Sequence, residues 1–223
     1  MSNGHVLLAT ASEQVLGNDE TSADIEWDGL SIVGNTLGPV DSCDVGMMVA
    51  TSFQEITTGS RAEGISLGDV RIEDNDIHCA TGVILSPAVN FGSNAVGEGI
   101  TLEGVVVASN RFHVDDVALL AAGGRVIETI LGGAESSPDA VVRDNLFDGL
   151  TVEGNELRSG RALVWVYGGL IDGAPGRASA NELRGLAIGE NDVGDAVVCR
   201  AVADESGSEG GRASDNRVDT SAC

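Results

Sequence analysis

The sequence predicts an all-β solenoid, one stacked coil of short parallel strands, and three observations carry that expectation. A single pattern recurs five times, short apolar stretches flank each copy at similar offsets, and hairpin turn signals between paired strands are sparse.

The recurring unit is two apolar residues in alternation, two further residues, an Asn, one residue and an apolar residue. It reads Leu30-Ser-Ile32-Val-Gly-Asn35-Thr-Leu37, Val70-Arg-Ile72-Glu-Asp-Asn75-Asp-Ile77 and Val105-Val-Val107-Ala-Ser-Asn110-Arg-Phe112, and continues as Leu150-Thr-Val152-Glu-Gly-Asn155-Glu-Leu157 and Leu186-Ala-Ile188-Gly-Glu-Asn191-Asp-Val193. Upstream of it lies a first short strand, as at Gly64-Ile-Ser-Leu67, Gly99-Ile-Thr-Leu102, Ala140-Val-Val-Arg-Asp-Asn145 and Arg177-Ala-Ser-Ala-Asn181. Downstream lies a third, as at Gly46-Met-Met-Val49, Gly82-Val-Ile-Leu85, Val117-Ala-Leu-Leu120, Ala162-Leu-Val-Trp-Val-Tyr167 and Ala196-Val-Val-Cys199. Alternation at period two turns one side of each strand inward. Asn suits the corner that follows, because it tolerates the left-handed region and its amide bonds locally. In rungs stacked at roughly 4.8 Å, Asn amides at equivalent corners can also bond one another in a ladder. The expectation is about five rungs of three strands.

This repeat resembles that of the right-handed parallel β-helix, or pectate-lyase-like, superfamily, and the resemblance runs from about Gly4 to Val218. It implies one β-helix domain over residues 1–223, as a whole protein or as part of a larger protein or assembly. That superfamily includes polysaccharide lyases, glycoside hydrolases, epimerases, viral tailspikes and surface adhesins, so the resemblance implies a fold and no one activity. The competing architectures, a β-sandwich or a propeller, call for the hairpin signals that are sparse here.

At the ends, Gly4-His-Val-Leu-Leu-Ala-Thr10 resembles a third strand with nothing before it, and Gly211-Arg-Ala-Ser-Asp-Asn216-Arg-Val218 a first strand with nothing after it. Neither carries an obvious capping helix, so the stack is expected to abut something at one or both ends. The surplus in each repeat, residues 51–63, 87–97, 121–138, 168–176 and 203–210, follows a third strand. Loops leaving one corner of a coil line up, so these segments are expected to form a continuous side wall that carries function.

Charge narrows the partners. Against 35 Asp and Glu stand 12 basic residues, all Arg, for a formal net charge of -23. A field this negative repels phosphate backbones and anionic membranes, which excludes nucleic acid as a partner and argues against membrane insertion. The Lys-free acidity resembles that of proteins from high-salt organisms; a GC-rich genome with an acidic surface kept for solubility accounts for it equally. No basic segment precedes an apolar one near Met1 and no apolar run approaches 18 residues, so the chain is expected to be soluble, and either made without its own export signal or cut from a larger exported protein. Cys43, Cys79, Cys199 and Cys223 show no metal-ligand spacing and read as small buried hydrophobes.

Several side chains could carry chemistry. His78 and His113 lie three residues past their Asn, with Arg158 at the same place one rung later, so the three are expected in one column. The His pair invites a metal or acid–base role, but no stacked third His or Cys completes a metal set, and no metal or other cofactor is expected. One residue past the Asn, Thr36, Asp76, Arg111, Glu156 and Asp192 read as a cross-rung salt-bridge ladder. Asp115 and Asp116, with Arg161 at the matching place one rung later, are the candidate catalytic set of a polysaccharide-active enzyme. Neighbouring Ala80 and Thr81 leave the larger Asp cluster of polygalacturonase-like hydrolases unfilled. Trp165 and Tyr167 share one face of a third strand, either as core or as a sugar-stacking patch. Phe53 and Phe91, on the loop wall, join them and the His pair as candidate binding residues.

The first expectation is therefore a non-enzymatic structural and recognition module of a surface, spike or virion-type assembly, binding glycan or protein. A glycoside hydrolase or lyase is the alternative. The module is expected outside the cell or on a virion, or in the cytoplasm of a halophile, and trimerisation along the sides follows by analogy with β-helix spikes.

Overall fold

The computed structural model describes residues 5–15, 19–38, 43–55, 59–90, 94–127, 140–172, 176–207 and 210–223. Among them every regular element is a strand, and the strands stack in parallel as a β-solenoid of about five turns. Among the described residues no helix is long and apolar enough to cross a membrane.

Each turn has four faces where the sequence suggested three strands. Face 1 stacks Thr21–Ala23, Arg61–Glu63, Val96–Glu98, Ala140–Arg143, Gly176–Ser179 and Arg212–Ser214. Face 2 holds Glu26–Asp28 with Ser31–Val33, Ser66–Gly68 with Arg71–Glu73, Thr101–Ala108, Leu146–Glu153, Glu182–Ile188 and Arg217–Val218. Face 3 holds Thr36–Leu37, Asp76–Cys79, Arg111–Val114 and Glu156–Ser159. Face 4 is the longest: His5–Val15, Val45–Glu55, Thr81–Asn90, Val117–Ala122 with Arg125–Ile127, Ala162–Asp172 and Val197–Ser206.

A five-residue rhythm builds the first three faces. Left-handed residues recur every fifth position, at Gly59, Gly64, Asp69 and Asp74 in one turn and Asn94, Gly99, Gly104 and Ser109 in the next. Between them the first and third residues of each five point inward and are buried: Ser60 and Ala62, Ile65 and Leu67, Val70 and Ile72, Asn75 and Ile77. Each unit is thus a minimal strand closed by a left-handed kink, and stacking aligns like with like. Leu67, Leu102, Phe147 and Leu183 form one core column, and Met47, Val83, Leu119 and Val164 another.

The Asn corner forms as expected. The Nδ2 of Asn35 donates to Oδ1 of Asn75 at 3.0 Å, Asn75 to Asn110 at 2.9 Å, Asn110 to Asn155 at 3.0 Å and Asn155 to Asn191 at 3.0 Å. Each acceptor also takes a backbone N–H from the donor residue, and interior amides donate again to a carbonyl of the preceding turn or to one two residues back. A second ladder at the corner between faces 1 and 2 runs Asn145, Asn181, Asn216 and ends on the Asp204 carboxylate. In the earlier turns that corner is filled by Ile65 and Ile100, with no Asn, which is why the sequence pattern merged two faces: Gly64-Ile-Ser-Leu67 opens face 2, whereas Ala140–Arg143 lies on face 1.

Two further expectations change. Much of the supposed loop wall is face 4 strand: Thr51–Glu55, Pro87–Asn90, Arg125–Ile127, Gly168–Asp172 and Ala203–Ser206 continue the ladder. The cysteines pair as disulfides, Cys43 with Cys79 and Cys199 with Cys223, at Cα separations of 4.8 and 5.2 Å, instead of serving as isolated thiols.

Candidate functional site

Face 4 differs from the others because its outer side is apolar as well as its inner side. Met47 and Val49 pack into the main core, so alternation turns Met48 and Ala50 outward, where they cluster separately with Phe53, Ile84, Val89 and Ile127. After Ala50 the next outward residue is Phe53, three positions on. The same spacing recurs as Trp165, Tyr167 and Leu170, so these strands break their alternation at one level, as strands do at a bend.

Two rows of outward side chains therefore run across the turns. One is Met48, Ile84, Leu120, Trp165 and Arg200; the other is Phe53, Val89, Arg125, Leu170 and Glu205. Between them stand the small Ala50, Ser86 and Ala122, and then Tyr167. Large side chains flanking small ones at a bend leave a concavity of about 310 Å³, lined by Ile84, Leu120, Trp165, Tyr167, Leu170, Arg125, Asp172, Asp116 and Glu205 among others. Its size is that of a small-ligand pocket. Both rows are closed at Met48, Ile84, Phe53 and Val89 and become accessible toward Arg200 and Glu205, so the groove opens toward the last turns.

The groove floor holds the one buried guanidinium among the described residues. Arg125 is 6% exposed; its Nη2 donates to Asp172 Oδ2 at 3.2 Å, while Nε and Nη1 have no hydrogen-bond partner among the described residues. Burial pulls the Arg125 pKa down and Asp172 pushes it back up. Beside it, burial raises the Tyr167 phenol above its ordinary value, so it stands as a neutral donor at physiological pH. The Arg200 guanidinium lies 5.7 Å from the Trp165 ring centroid and 3.7 Å from Glu205, and Arg161 lies 3.4 Å from Asp116. Every carboxylate at the rim has a cation near it; among the described residues the groove atoms left without a hydrogen bond are Asp116 Oδ1 and the Nε and Nη1 of Arg125.

The groove brings together residues that the sequence kept in separate groups. Trp165 and Tyr167 share it with Asp116, while Asp115 is exposed and Arg161 is turned to Asp116 as an ion pair. Both backbone N–H groups of Asp115 and Asp116 donate to the Ala80 carbonyl, which fixes the turn into face 4. Phe53 is a strand residue buried to 1% exposure, packed against Met48 and Val89, and presents no loop surface. Phe91 lies outside the described residues. Leu170 and Ile171 are likewise buried. Arg125 and Asp172 were missed because they fell in segments that read as loops; the signal that could have found them is the shared spacing of three between outward residues.

His78 and His113 lie elsewhere, on face 3. They are in register and their rings stack, with centroids 4.1 Å apart and planes 7° from parallel. Arg158 leaves the expected column: a bulge puts Ser159 opposite His113, and Arg158 turns to Glu156. The salt-bridge ladder forms only in part. Arg111 lies 3.8 Å from Glu156, whereas Asp76 turns to His78 at 3.0 Å and His113 at 3.6 Å.

Compared with family models, curated proteins and solved structures, the chain matches none of them.

Proposed function

We propose that the protein is a non-enzymatic recognition module that binds a glycan in the face 4 groove, presented on a surface, spike or virion-type assembly. The observation that carries this reading is the pairing of Trp165 and Tyr167 with a buried guanidinium that keeps two donors unmet. Sugars combine apolar ring faces with hydroxyls in fixed directions, so a wall of indole and phenol beside Arg125 and Asp172 suits them chemically. Two disulfides suit an oxidising compartment and with it an extracellular place. The test is a glycan array, followed by calorimetry on the best ligand. Trp165→Ala should weaken binding at least tenfold with an unchanged circular-dichroism spectrum; equal binding by wild type and variant would remove the groove from the reading.

A second reading, a polysaccharide-active enzyme, draws on Asp116, Asp172 and Glu205 lining the same groove. Turnover of an acidic polysaccharide that Asp116→Asn abolishes would replace the first reading. High-salt life remains a proposal on the charge alone: screening 35 carboxylates should raise the melting temperature between low and molar salt, and a flat response counts against it.

A further inference from the structure

We infer that Asp76, His78 and His113 form a site for one divalent transition-metal ion of the zinc type. Asp76 and His78 are two apart on one strand, so both project outward while Ile77 and Cys79 point into the core. His113 comes alongside on the next strand, in register with His78. The Nε2 atoms of both imidazoles face the same carboxylate oxygen, Asp76 Oδ1, at 3.0 and 3.6 Å, and one ligand atom from each of the three residues falls within 4.8 Å of the others. Ligand atoms placed tetrahedrally at about 2.0–2.1 Å from zinc stand roughly 3.3–3.4 Å apart, and the two measured separations lie on either side of that value.

The surroundings favour a cation. Asp76 Oδ1 is buried and accepts no hydrogen bond among the described residues, although two imidazoles face it. Arg111, its register partner on the neighbouring strand, points its guanidinium toward Glu156, and the bulge at Phe112/His113 carries Arg158 to the same Glu156. Both arginines that could have neutralised Asp76 or repelled a metal are held away. A net charge of -23 adds a general attraction for cations. Two imidazoles and a carboxylate select zinc, copper, nickel or cobalt over calcium and magnesium, which prefer oxygen ligands. The three side chains are each about one-third exposed, at 33%, 36% and 35%, so water can complete the coordination. The stacked rings must tilt out of parallel to aim both nitrogens at one ion. An ion held this way ties consecutive turns of the solenoid together on face 3, away from the glycan groove.

The test uses the full chain with any affinity tag removed. Titration with Zn²⁺, and with Co²⁺ followed by its visible absorption, should give one site per chain and a rise in melting temperature. Asp76→Asn and His113→Ala should each weaken binding at least tenfold, with unchanged circular dichroism. His5→Ala, the chain's third histidine, should bind as wild type. Absence of binding at micromolar metal, or equal binding by wild type and His113→Ala, overturns the site. If both ligand variants misfold, NMR of the wild-type imidazoles decides it: shifts of both His78 and His113 on adding Zn²⁺ support the site, and unmoved resonances overturn it.

Discussion

Two of the places where the molecule buries polar side chains treat them in opposite ways. Along the Asn corner every interior amide is satisfied: Asn110 donates to Asn155, to the Ile72 carbonyl and to the Ala108 carbonyl, and accepts from both the backbone and the amide of Asn75. In the face 4 groove Arg125 is also buried, yet two of its donor atoms meet no acceptor among the described residues. A satisfied buried network fixes one structure, here the register of one turn on the next, whereas an unsatisfied buried group costs free energy and calls for its own explanation. On the reading proposed above, the contrast separates what the solenoid needs to stand from what it carries for a ligand.

The largest effect should come from breaking the ladder in its middle. Asn110→Ala leaves the Asn75 backbone N–H without its acceptor, takes one of two acceptors from the Asn75 amide and removes a donor from the Ile72 carbonyl, and each buried group left unmet costs about 1–3 kcal/mol. A loss of at least about 3 kcal/mol in urea denaturation is expected. Asn35→Ala at the exposed end of the same ladder should cost less than about 1 kcal/mol. Equal losses at the two positions would mean that the ladder does not act through burial.

The second corner gives a finer test, because it is built two ways in one chain. Ile100 occupies the place that Asn145 and Asn181 hold in later turns, and its backbone N–H already donates to Asn145 Oδ1 at 2.9 Å. Ile100→Asn would extend that ladder by one rung. The cost of burying an amide should then be largely offset, leaving a loss of about 1 kcal/mol, against about 3 kcal/mol for Ile72→Asn, where no ladder waits. Similar losses at both positions would show that the corner geometry at Ile100 does not accept an amide.

These positions also mark what could be read in advance. The Asn corner was legible because five residues of one type recur at one phase, and the inward columns because period-two alternation accompanies them. The second ladder was half hidden, since Ile65 and Ile100 break its Asn signal. Face 4 was cut short in the reading because alternation fails at its bend, and because the pairs Gly123-Gly124 and Gly168-Gly169 resemble loop punctuation. Their actual reason is close approach: a Cβ at Gly124 would lie 2.8 Å from the Asn181 Oδ1, and one at Gly169 would collide with the Asn216 amide. The glycines admit the second ladder against the strand. Arg125, directly after the first pair, was hidden with it. Asp76 was visible but read as a ladder member, since nothing in the spacing says that Arg111 will turn the other way.

The smallest change in stability, and the one with an inverted sign, is expected at Arg125. Arg125→Met keeps the length and apolar stem of the side chain while removing a guanidinium that is desolvated and only singly paired. Its partner Asp172 has a side chain 61% exposed, so losing the cation leaves a hydrated carboxylate and no buried charge. Replacing an incompletely paired buried ion by a well-packed apolar group is commonly neutral or favourable. Denaturation should therefore show the variant unchanged or up to about 1 kcal/mol more stable, while its affinity for the groove ligand falls at least tenfold. At the Asn corner the same experiment, a buried polar residue exchanged for an apolar one, removes stability and should leave binding by the folded fraction intact. If Arg125→Met instead costs several kcal/mol, the guanidinium serves the bend of face 4 as the amides serve their corner, and the distinction between the two regions fails. If stability is unchanged and ligand affinity is unchanged as well, Arg125 has no part in binding, and the groove must be tested through Trp165 alone.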